Sequence, residues 1–323
     1  MIIVRAPLRI TLGGGGSDVK SYYEKHRGFC LTAAIDKYVY ITVHDTFVDY
    51  LILKYSEIEH VKSRTEVKHP IIREVLISQG IDTAHLEISS MADIPAGTGL
   101  GSSSAFTVAL LKAIRTWIYK NDSITAHRLA ETACYIEIDQ VGEPIGKQDQ
   151  YASAYGGLKI IDINRQGDVT VSPLHMTDNT RHELEDNLLL FFTGYSRSTA
   201  NVLNLTRQYV DVDETLGDGI ASAHRVISAL EEGNLYHFAQ ELTCQRGLKI
   251  ARLVNAENDD IEHWFRVGMS HGAIGGKLVG AGGGGFLMFM AEDSRELRKA
   301  MNAEGLPEVR FRFDYEGARA ILQ

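Results

Sequence analysis

The sequence predicts an α+β protein built from two domains. Its early strand-like segments follow one another in consecutive pairs, which favours mixed or antiparallel sheets over a doubly wound parallel sheet. Strand-like and helical patterns then alternate in both halves, and the polar stretch 175–187 separates two apolar regions. We therefore predict an N-terminal domain over residues 1–184 and a C-terminal domain over residues 185–323. With 323 residues, 44% of them hydrophobic, the chain is long enough for two cores.

The N-terminal half begins with strands. Four segments are rich in β-branched or aromatic residues with partial alternation: MIIVRAPLRITL, KYVYITVHD, DYLILKY and AHLEISS. A helix is predicted over residues 103–119. A second helix is predicted in SITAHRLAETACYIEIDQV, because Leu129, Ala133 and Ile136 lie roughly on one face.

A hairpin and a second run of strands and helices complete the chain. GGLKIIDINRQGDVTVSPL predicts the hairpin, with its turn at residues 166–168. The C-terminal half then begins with the apolar strand LLLFFTG and continues with helices. A glycine-dense segment, GGKLVGAGGGGFLMFMA, leads to the strand-like EVRFRFDY near the end.

The chain is acidic, with a net charge of −9 at pH 7. A nucleic-acid groove needs a concentrated basic surface, so this charge argues against nucleic-acid binding, although a local field can still favour an anionic ligand. Cys30, Cys134 and Cys244 are far apart and odd in number, which predicts buried thiols in a reducing cytoplasm. No segment has the pattern of a signal peptide or a membrane span, so we expect a cytoplasmic protein without membrane contact. A homo-oligomer is compatible with the sequence, which does not determine the oligomeric state.

The stretch DIPAGTGLGSSSAFTVALLKAI places glycines and serines directly before a long apolar helix. The first amides of a helix lack intrahelical partners and carry partial positive charge, and glycines let the backbone approach a ligand closely. Gly97, Gly99 and Gly101, followed by serines at 102–104, therefore predict a phosphate-binding loop. An elaborate N-cap is the alternative, but one serine would suffice for a cap. The loop lacks the lysine of a P-loop and the G-x-S-x-G of a nucleophile elbow.

Two further glycine loops lie at distant points of the chain. RITLGGGGSD follows the first strand and is framed by Arg9 and Asp18, which could both contact a polar ligand. Taken alone, this loop is explained equally well as a flexible surface turn. GAGGGGFL contains G-x-G-x-x-G, but it precedes a strand, where a dinucleotide-binding fingerprint would open a helix. A Rossmann-type oxidoreductase is therefore disfavoured, and a loop that covers a ligand is the better interpretation.

The segment YIEIDQVGEPIGKQDQYASAYGG supplies carboxylates as candidates for catalysis. Acidic residues on a helix face, such as Glu137 and Asp139, are usually solvated. Asp149 differs, because it follows the helix breakers Gly142, Pro144 and Gly146 and so lies in a loop or at the start of a new helix. A positioned acid near a phosphate site is a candidate general base or metal ligand.

These motifs, in this order, resemble those of the GHMP kinase superfamily over nearly the whole chain. RAPLRITLGGGGSD is similar to motif one, DIPAGTGLGSSSA matches the phosphate loop P-x-G-x-G-L-G-S-S, and KLVGAGGGGFL is similar to the C-terminal glycine motif. Within the superfamily, GKQDQYASAYGG and FFTGYSRSTANVL look most like segments of bacterial D-glycero-D-manno-heptose 7-phosphate kinases. The resemblance implies a ribosomal protein S5 domain 2-like N-terminal domain, with a left-handed βαβ unit, and a ferredoxin-like C-terminal domain.

The resemblance also implies ATP and Mg²⁺ as cofactors, with the nucleotide phosphates under motif two. Its candidate nucleotide-binding residues are Pro95, Gly97, Gly99, Leu100, Gly101, Ser102, Ser103 and Ser104. Ser103 and Glu137 would hold the Mg²⁺, and the additional Ser104 leaves the choice of serine open by one position. Asp149 would be the catalytic base, one residue further from the preceding glycine than in mevalonate kinase. Arg9 would steady the transferred phosphoryl group and the base.

Motif one and the third glycine loop would bind the substrate. Asp18 matches the sugar-binding aspartate of galactokinase, whereas Gly15 and Gly16 replace its glutamate and histidine. The loss of these two side chains predicts room for a longer sugar. Gly282 and Gly283 in the third loop are further candidate substrate contacts.

A phosphate on the substrate would need a basic partner. Ser196 and Arg197 lie at the predicted mouth of a helix, which favours an anion site there. A helix cap with a solvated arginine is the alternative. Lys20, Arg27 and Lys147 are further candidates for this phosphate.

These expectations describe an ATP-dependent sugar kinase. It would phosphorylate the anomeric hydroxyl of D-glycero-D-manno-heptose 7-phosphate to the 1,7-bisphosphate, in the biosynthesis of nucleotide-activated heptose. Its partners would be a small-molecule sugar phosphate and ATP. An anomeric kinase of an unphosphorylated sugar, such as fucose or an N-acetylhexosamine, is the alternative. A non-catalytic sugar or nucleotide sensor is a further hypothesis, which the presence of Asp149 and Glu137 disfavours.

Overall fold

The computed structural model describes residues 1–82, 84–120, 123–195, 211–253, 257–280 and 282–322. Within these ranges it has one large sheet of eight strands and a smaller antiparallel sheet of three, each with helices packed against it. This mixture confirms the predicted α+β class. None of the described helices is long and apolar enough to cross a lipid bilayer.

The N-terminal half contains the predicted strands, helices and hairpin, together with shorter elements that were not predicted. Its strands are β1 (Ile2–Gly13), β2 (Gly28–Asp45), β3 (Leu51–Lys54), β4 (Ile58–Val61), β5 (Leu86–Ala92), β6 (Leu158–Ile163) and β7 (Val169–Pro173). Its helices are α1 (Lys20–His26), α2 (Pro70–Ser78), α3 (Ser102–Tyr119), α4 (Ala126–Cys134) and α5 (Gln148–Tyr155). A short 3-10 turn (Arg64–Glu66) precedes α2, and a π-helical turn (Tyr135–Gln140) continues α4.

Strand β2 organises the large sheet, whose order is β11 (Arg319–Leu322), β1, β2, β5, β3 and β4. The first part of β2 pairs with β6 and its last part pairs with β5. On its other edge, β2 pairs with β1 along most of the length of β2. Alternate residues of β1, such as Val4, Leu8 and Ile10, are fully buried. Helices α3 and α5 both pack against β1, and the three elements form part of the N-terminal core.

The C-terminal half has a ferredoxin-like order of elements. They are α6 (Asp178–Asn187), β8 (Leu188–Phe192), α7 (Val212–Glu231), α8 (Leu235–Arg252), α9 (Asp259–Ser270), β9 (Ala273–Leu278), β10 (Phe286–Ala291) and α10 (Ser294–Ala303). The sheet order is β8–β10–β9. Residues 307–309 add an edge beside β8, because the N–H of Val309 donates to the carbonyl oxygen of Leu190 at 2.9 Å. Strand β8, the helices, β9, β10, α10 and this edge thus follow the βαββαβ pattern.

Three further features differ from the sequence prediction. The polar stretch 175–187 forms the capped helix α6, which we did not predict. EVRFRFDY pairs only at isolated bridges, and the chain then returns to the large sheet, where β11 pairs with β1. Cys30 and Cys134 are buried as predicted, whereas Cys244 is exposed. The domain division at residues 184 and 185 stays a prediction, but the last strand lies in the large sheet.

Candidate active site

All three glycine loops meet at one cavity of about 380 Å³. Its lining includes Gly14, Gly15 and Gly16 of the first loop, Gly97, Gly99 and Gly101 of the second, and Gly280 of the third. The second and third loops touch, because a Cβ added to Gly99 would lie only 2.9 Å from the carbonyl oxygen of Val279. Segments far apart in the sequence therefore form the walls of a single site.

Helix α3 opens onto this cavity without a side-chain cap. Its N-cap residue, Gly101, is in the left-handed region with φ of 77°. The first amides of α3 therefore remain available to an anion. Three consecutive serines also line the cavity: Ser102, Ser103 and Ser104. Pro95 and Leu100 are not among the described lining residues, and Leu100 is buried in the core.

Arg9 and Asp149 form a bidentate ion pair in the cavity wall. Arg9 comes from β1, and Asp149 comes from the first turn of α5. Nε of Arg9 donates to Oδ1 of Asp149 at 2.7 Å, and Nη2 donates to Oδ2 at 2.5 Å. Nη1 donates to the carbonyl oxygen of Gly99 at 2.5 Å. The pair therefore holds a carboxylate and a cation in fixed positions beside the second glycine loop.

Glu137 is fully buried close to the mouth of α3. The π-helical turn that follows α4 carries it, and such turns often occur at functional sites. Its Oε1 accepts hydrogen bonds from Thr107 at 2.9 Å and from Ser103 at 3.3 Å. Its Oε2 accepts from Nε2 of Gln150 at 2.5 Å. Burial raises the pKa of Glu137 to about 7, against the opposing effect of its hydrogen bonds.

Asp18 is held by donors from two segments of the chain. Its Oδ1 accepts from the backbone N–H of Gly16 and from Nε2 of Gln148, both at 3.1 Å. Its Oδ2 accepts from the backbone N–H of Gln148 at 3.1 Å. Burial raises the pKa of Asp18, and the nearby charge of Asp149 acts in the same direction. Gln148, which the sequence analysis did not select, thus fixes Asp18 close to Asp149.

Two cations from α8 also line the cavity, and the sequence analysis missed both: Lys249 and Arg252. Lys249 donates to the carbonyl oxygens of Leu278 at 2.9 Å and Gly280 at 2.7 Å. Burial lowers the pKa of Lys249 to about 8, and the nearby charge of Arg252 acts in the same direction. Their spacing of three residues places them on one helical face, which is the signal the sequence did contain.

A third missed cation, Lys277, lies on β9. It is buried, and its Nζ donates to Oε1 of Gln245 at 2.6 Å. Burial lowers the pKa of Lys277 well below its ordinary value, and the nearby charge of Lys249 adds to this. A lysine inside an otherwise apolar strand is a signal for a functional or paired charge, because charged residues are rarely buried alone.

Two family profiles match this chain, and their ranges include the second and third glycine loops and the segment around Asp149. The profile described as GHMP kinases N terminal domain matches residues 67–157, and the profile described as GHMP kinases C terminal matches residues 226–305. The chain belongs to the GHMP kinase family. The two-domain GHMP kinase fold predicted from the motifs is confirmed.

Three proteins are similar to this GHMP kinase over most of its length. The D-glycero-alpha-D-manno-heptose 7-phosphate kinase of Campylobacter jejuni is 28% identical over 99% of this chain and 98% of the relative. The crystal structure of a D-glycero-D-manno-heptose 1-phosphate kinase from Bacteroides thetaiotaomicron is 27% identical and has a TM-score of 0.82, covering 100% of this chain and 99% of its own. The bifunctional fucokinase/GDP-fucose pyrophosphorylase of Arabidopsis thaliana is 25% identical over 92% of this chain but only 31% of its own length.

Several predicted substrate contacts of this GHMP kinase are not among the described residues that line the cavity. Ser196 and Arg197 lie outside the described residues. Gly282 and Gly283 belong to the loop between β9 and β10, but they are not among the described lining residues. The three further phosphate candidates do not line it either, and they contact other groups: Lys20 with Glu24, Arg27 with Asp162, and Lys147 with the carbonyl oxygen of Gly167.

Gly16→Ala is expected to lower the free energy of unfolding by about 1–2 kcal/mol. The φ of Gly16 is 96°, and a Cβ there would lie 3.1 Å from Cδ2 of Leu216. This backbone conformation is enough to explain a glycine at position 16. The absence of a side chain there is therefore not independent support for a longer sugar. Gly15→Ala is the matched control, since Gly15 lacks the left-handed conformation. Urea unfolding compares them, and a Gly16→Ala protein as stable as wild type would contradict the strain argument.

Proposed function

We propose that this GHMP kinase transfers the γ-phosphate of ATP to the anomeric hydroxyl of D-glycero-D-manno-heptose 7-phosphate. The product would be the 1,7-bisphosphate used to make nucleotide-activated heptose. The observation that carries the proposal is the ion pair of Arg9 and Asp149, fixed beside Gly99 in a cavity that three glycine loops line. Similarity to heptose phosphate kinases along nearly the whole chain supports the choice of acceptor.

The residues behind the mouth of α3 fit a bound Mg²⁺. Ser103 is exposed and Glu137 is buried beside it, and together they would hold the metal, which prefers oxygen ligands. Oε1 of Gln150 is buried without a hydrogen-bond partner among the described residues, as expected beside a site completed by a ligand or water. When bound, Mg²⁺ would neutralise charge on the nucleotide phosphates.

The remaining metal ligands would come from outside the protein. Among the described residues, no three His, Cys, Asp or Glu side chains cluster as a self-sufficient metal centre. Sites for Mg²⁺ commonly combine one or two protein ligands with substrate phosphates and water. A site of Ser103 and Glu137 at a phosphate-binding helix mouth has this composition.

The side chains of the cavity would divide the work of phosphoryl transfer. Asp149 would accept the proton of the anomeric hydroxyl as the hydroxyl oxygen bonds to the γ-phosphorus, while the bond from that phosphorus to the bridging oxygen breaks and ADP leaves. Arg9 keeps the carboxylate oriented and offsets charge on the transferred group. Asp18, fixed by Gln148, orients the sugar hydroxyls next to the base. The free amides at the start of α3 hold the nucleotide phosphates in line.

Ser103→Ala and Glu137→Gln are each expected to raise the Mg²⁺ concentration for half-maximal activity by about tenfold or more. Both side chains would contact the metal and neither would contact the sugar, so the sugar KM should change little. Activity titrated with Mg²⁺ at saturating ATP measures the effect. Ser104→Ala tests the neighbouring serine, which is buried where Ser103 is exposed. If the Mg²⁺ titration curve shifts in Ser104→Ala and not in Ser103→Ala, Ser104 is the serine that binds the metal. Unchanged curves for both Ser103→Ala and Glu137→Gln would contradict the proposed metal site.

A panel of sugars tests the proposed acceptor. We expect faster ATP consumption with heptose 7-phosphate than with free heptose, fucose or an N-acetylhexosamine, and a new phosphate at C1 in the ³¹P NMR spectrum of the product. Fucose stays the second candidate, because fucokinases are among the relatives. If an unphosphorylated sugar is turned over faster, that sugar is the acceptor and the proposed one is wrong. If no sugar supports ATP consumption, the hypothesis of a non-catalytic sensor is favoured.

A further inference from the structure

Arg252 stands apart from the other cations of the cavity. It is the last residue of α8, and its side chain lines the cavity. The remaining cationic residues of the described lining, Arg9, Lys249 and Lys277, each donate hydrogen bonds to protein groups. Within the described ranges, the side chain of Arg252 makes no hydrogen bond or ion pair. A guanidinium with free donors in a cavity wall is suited to bind an oxyanion.

Arg252 lies on the side of the cavity that carries the proposed sugar contacts. A Cβ added to Gly16 would be 3.4 and 3.5 Å from its two Nη atoms. The N–H of Gly16 donates to Asp18, and Asp18 accepts from Gln148, the residue before Asp149. Arg252 therefore lies beside Gly16, and Gly16 is linked through Asp18 to Gln148, the neighbour of the base. A sugar that places its anomeric hydroxyl at Asp149 and its ring hydroxyls at Asp18 would extend its far end towards Arg252.

The charge around the cavity favours an anionic group at this end. Among the described lining residues there are four cationic side chains against three carboxylates, although the whole chain has a net charge of −9. Lys249 lies one helical turn before Arg252, and the two charges repel each other. Burial lowers the pKa of Arg252, and that of Lys249 is lowered to about 8. A bound anion would relieve both the repulsion and the cost of burying the charges.

We propose that Arg252, supported by Lys249, binds a phosphate monoester at the end of the acceptor sugar remote from the reacting hydroxyl. The acceptor is therefore a sugar phosphate, and Arg252 selects it over the neutral sugar. A planar guanidinium pairs with two phosphate oxygens at once, and a hydroxyl offers no such match. This assignment rests on the proposed function, since it places the anomeric hydroxyl at Asp149.

Arg252→Ala should raise the KM for D-glycero-D-manno-heptose 7-phosphate by roughly ten- to a hundredfold, because charge-assisted hydrogen bonds are lost. The kcat, the KM for ATP and the KM for unphosphorylated heptose should stay near wild type. Arg252→Lys should recover part of the affinity. Arg266→Ala, which removes an exposed arginine of α9, is the matched control and should leave all constants unchanged. Thermal unfolding of each variant verifies that it is folded.

A binding measurement separates failure of this inference from failure of the proposed function. Calorimetric titration of heptose 7-phosphate, and separately of unphosphorylated heptose, into ATP-free wild type and Arg252→Ala reports affinity without turnover. If the wild type binds the sugar without phosphorylating it and the variant does not bind, the phosphate site stands and the proposed reaction is wrong. If the variant binds as tightly as wild type, or loses both sugars equally, Arg252 is not the phosphate ligand. A wild type that prefers unphosphorylated heptose would overturn both.

Discussion

Asp149→Asn is expected to lower kcat by about 10²–10⁴-fold while the fold and the affinity for ATP are retained. An amide cannot take the proton of the attacking hydroxyl. The variant also turns one of the two hydrogen bonds from Arg9 into a contact between two donors. Arg9 keeps its bond to Gly99, so the second glycine loop should stay in place. Steady-state kcat at saturating ATP and sugar, with ATP binding measured separately, tests this expectation.

Asp139→Asn is the matched control for the base. Asp139 is exposed on the π-helical turn and is not among the residues that line the glycine-loop cavity, so its substitution should leave kcat unchanged. Near wild-type kcat in Asp149→Asn would require another base. Asp18 is then the next candidate, because it lines the same cavity. Loss of ATP binding in Asp149→Asn would instead indicate that the ion pair with Arg9 shapes the nucleotide loop.

The parts of the site that are local in sequence could be predicted from it. A glycine loop followed by a helix carries its chemistry in adjacent residues, and the free amides of α3 follow from helix geometry alone. Asp149 at the start of α5 follows from the helix breakers before it. The bidentate contact between Arg9 and Asp149 spans 140 positions, and only the family resemblance brought the two residues together before the structure did.

The cationic wall could not be predicted in the same way. Lys249 and Arg252 lie on a helix whose sequence separates apolar and polar faces only weakly, so its packing decides which face meets the cavity. Lys147, by contrast, lies one residue before α5 and two before Asp149, yet its ammonium contacts the carbonyl oxygen of Gly167 outside the cavity. Proximity in sequence to a motif therefore does not place a side chain in the site.

The fold shows the same division between local and long-range information. Paired apolar strands predicted mixed sheets, and the hairpin β6–β7 follows from its own turn. Strand β11 is short and mostly exposed, and it joins the large sheet by pairing with β1. Its sequence does not encode that partner. The π-helical turn around Glu137 is likewise invisible in a pattern of apolar spacing, although it sets which carboxylate is buried.

Glu137 links the proposed metal site to the stability of the fold. Burial raises its pKa to about 7 in the folded protein, whereas the ordinary value for a glutamate is 4.5. Between these two pH values the folded protein binds more protons than the unfolded chain, so the free energy of unfolding falls as pH rises. Above pH 7 the folded protein carries a buried carboxylate charge, which a bound Mg²⁺ would offset.

Relative to wild type, Glu137→Gln should therefore gain about 2–3 kcal/mol in free energy of unfolding between pH 5 and pH 8 when Mg²⁺ is removed. The amide stays neutral over this range. The free energy of unfolding of the variant therefore does not fall as it does in wild type, where the buried carboxyl ionises. Urea unfolding at both pH values in the presence of a chelator measures the difference. Asp139→Asn removes an exposed carboxylate two positions along the chain and controls for the change in net charge. A difference between Glu137→Gln and wild type that stays constant from pH 5 to pH 8 would mean that the buried carboxyl is already ionised at pH 5.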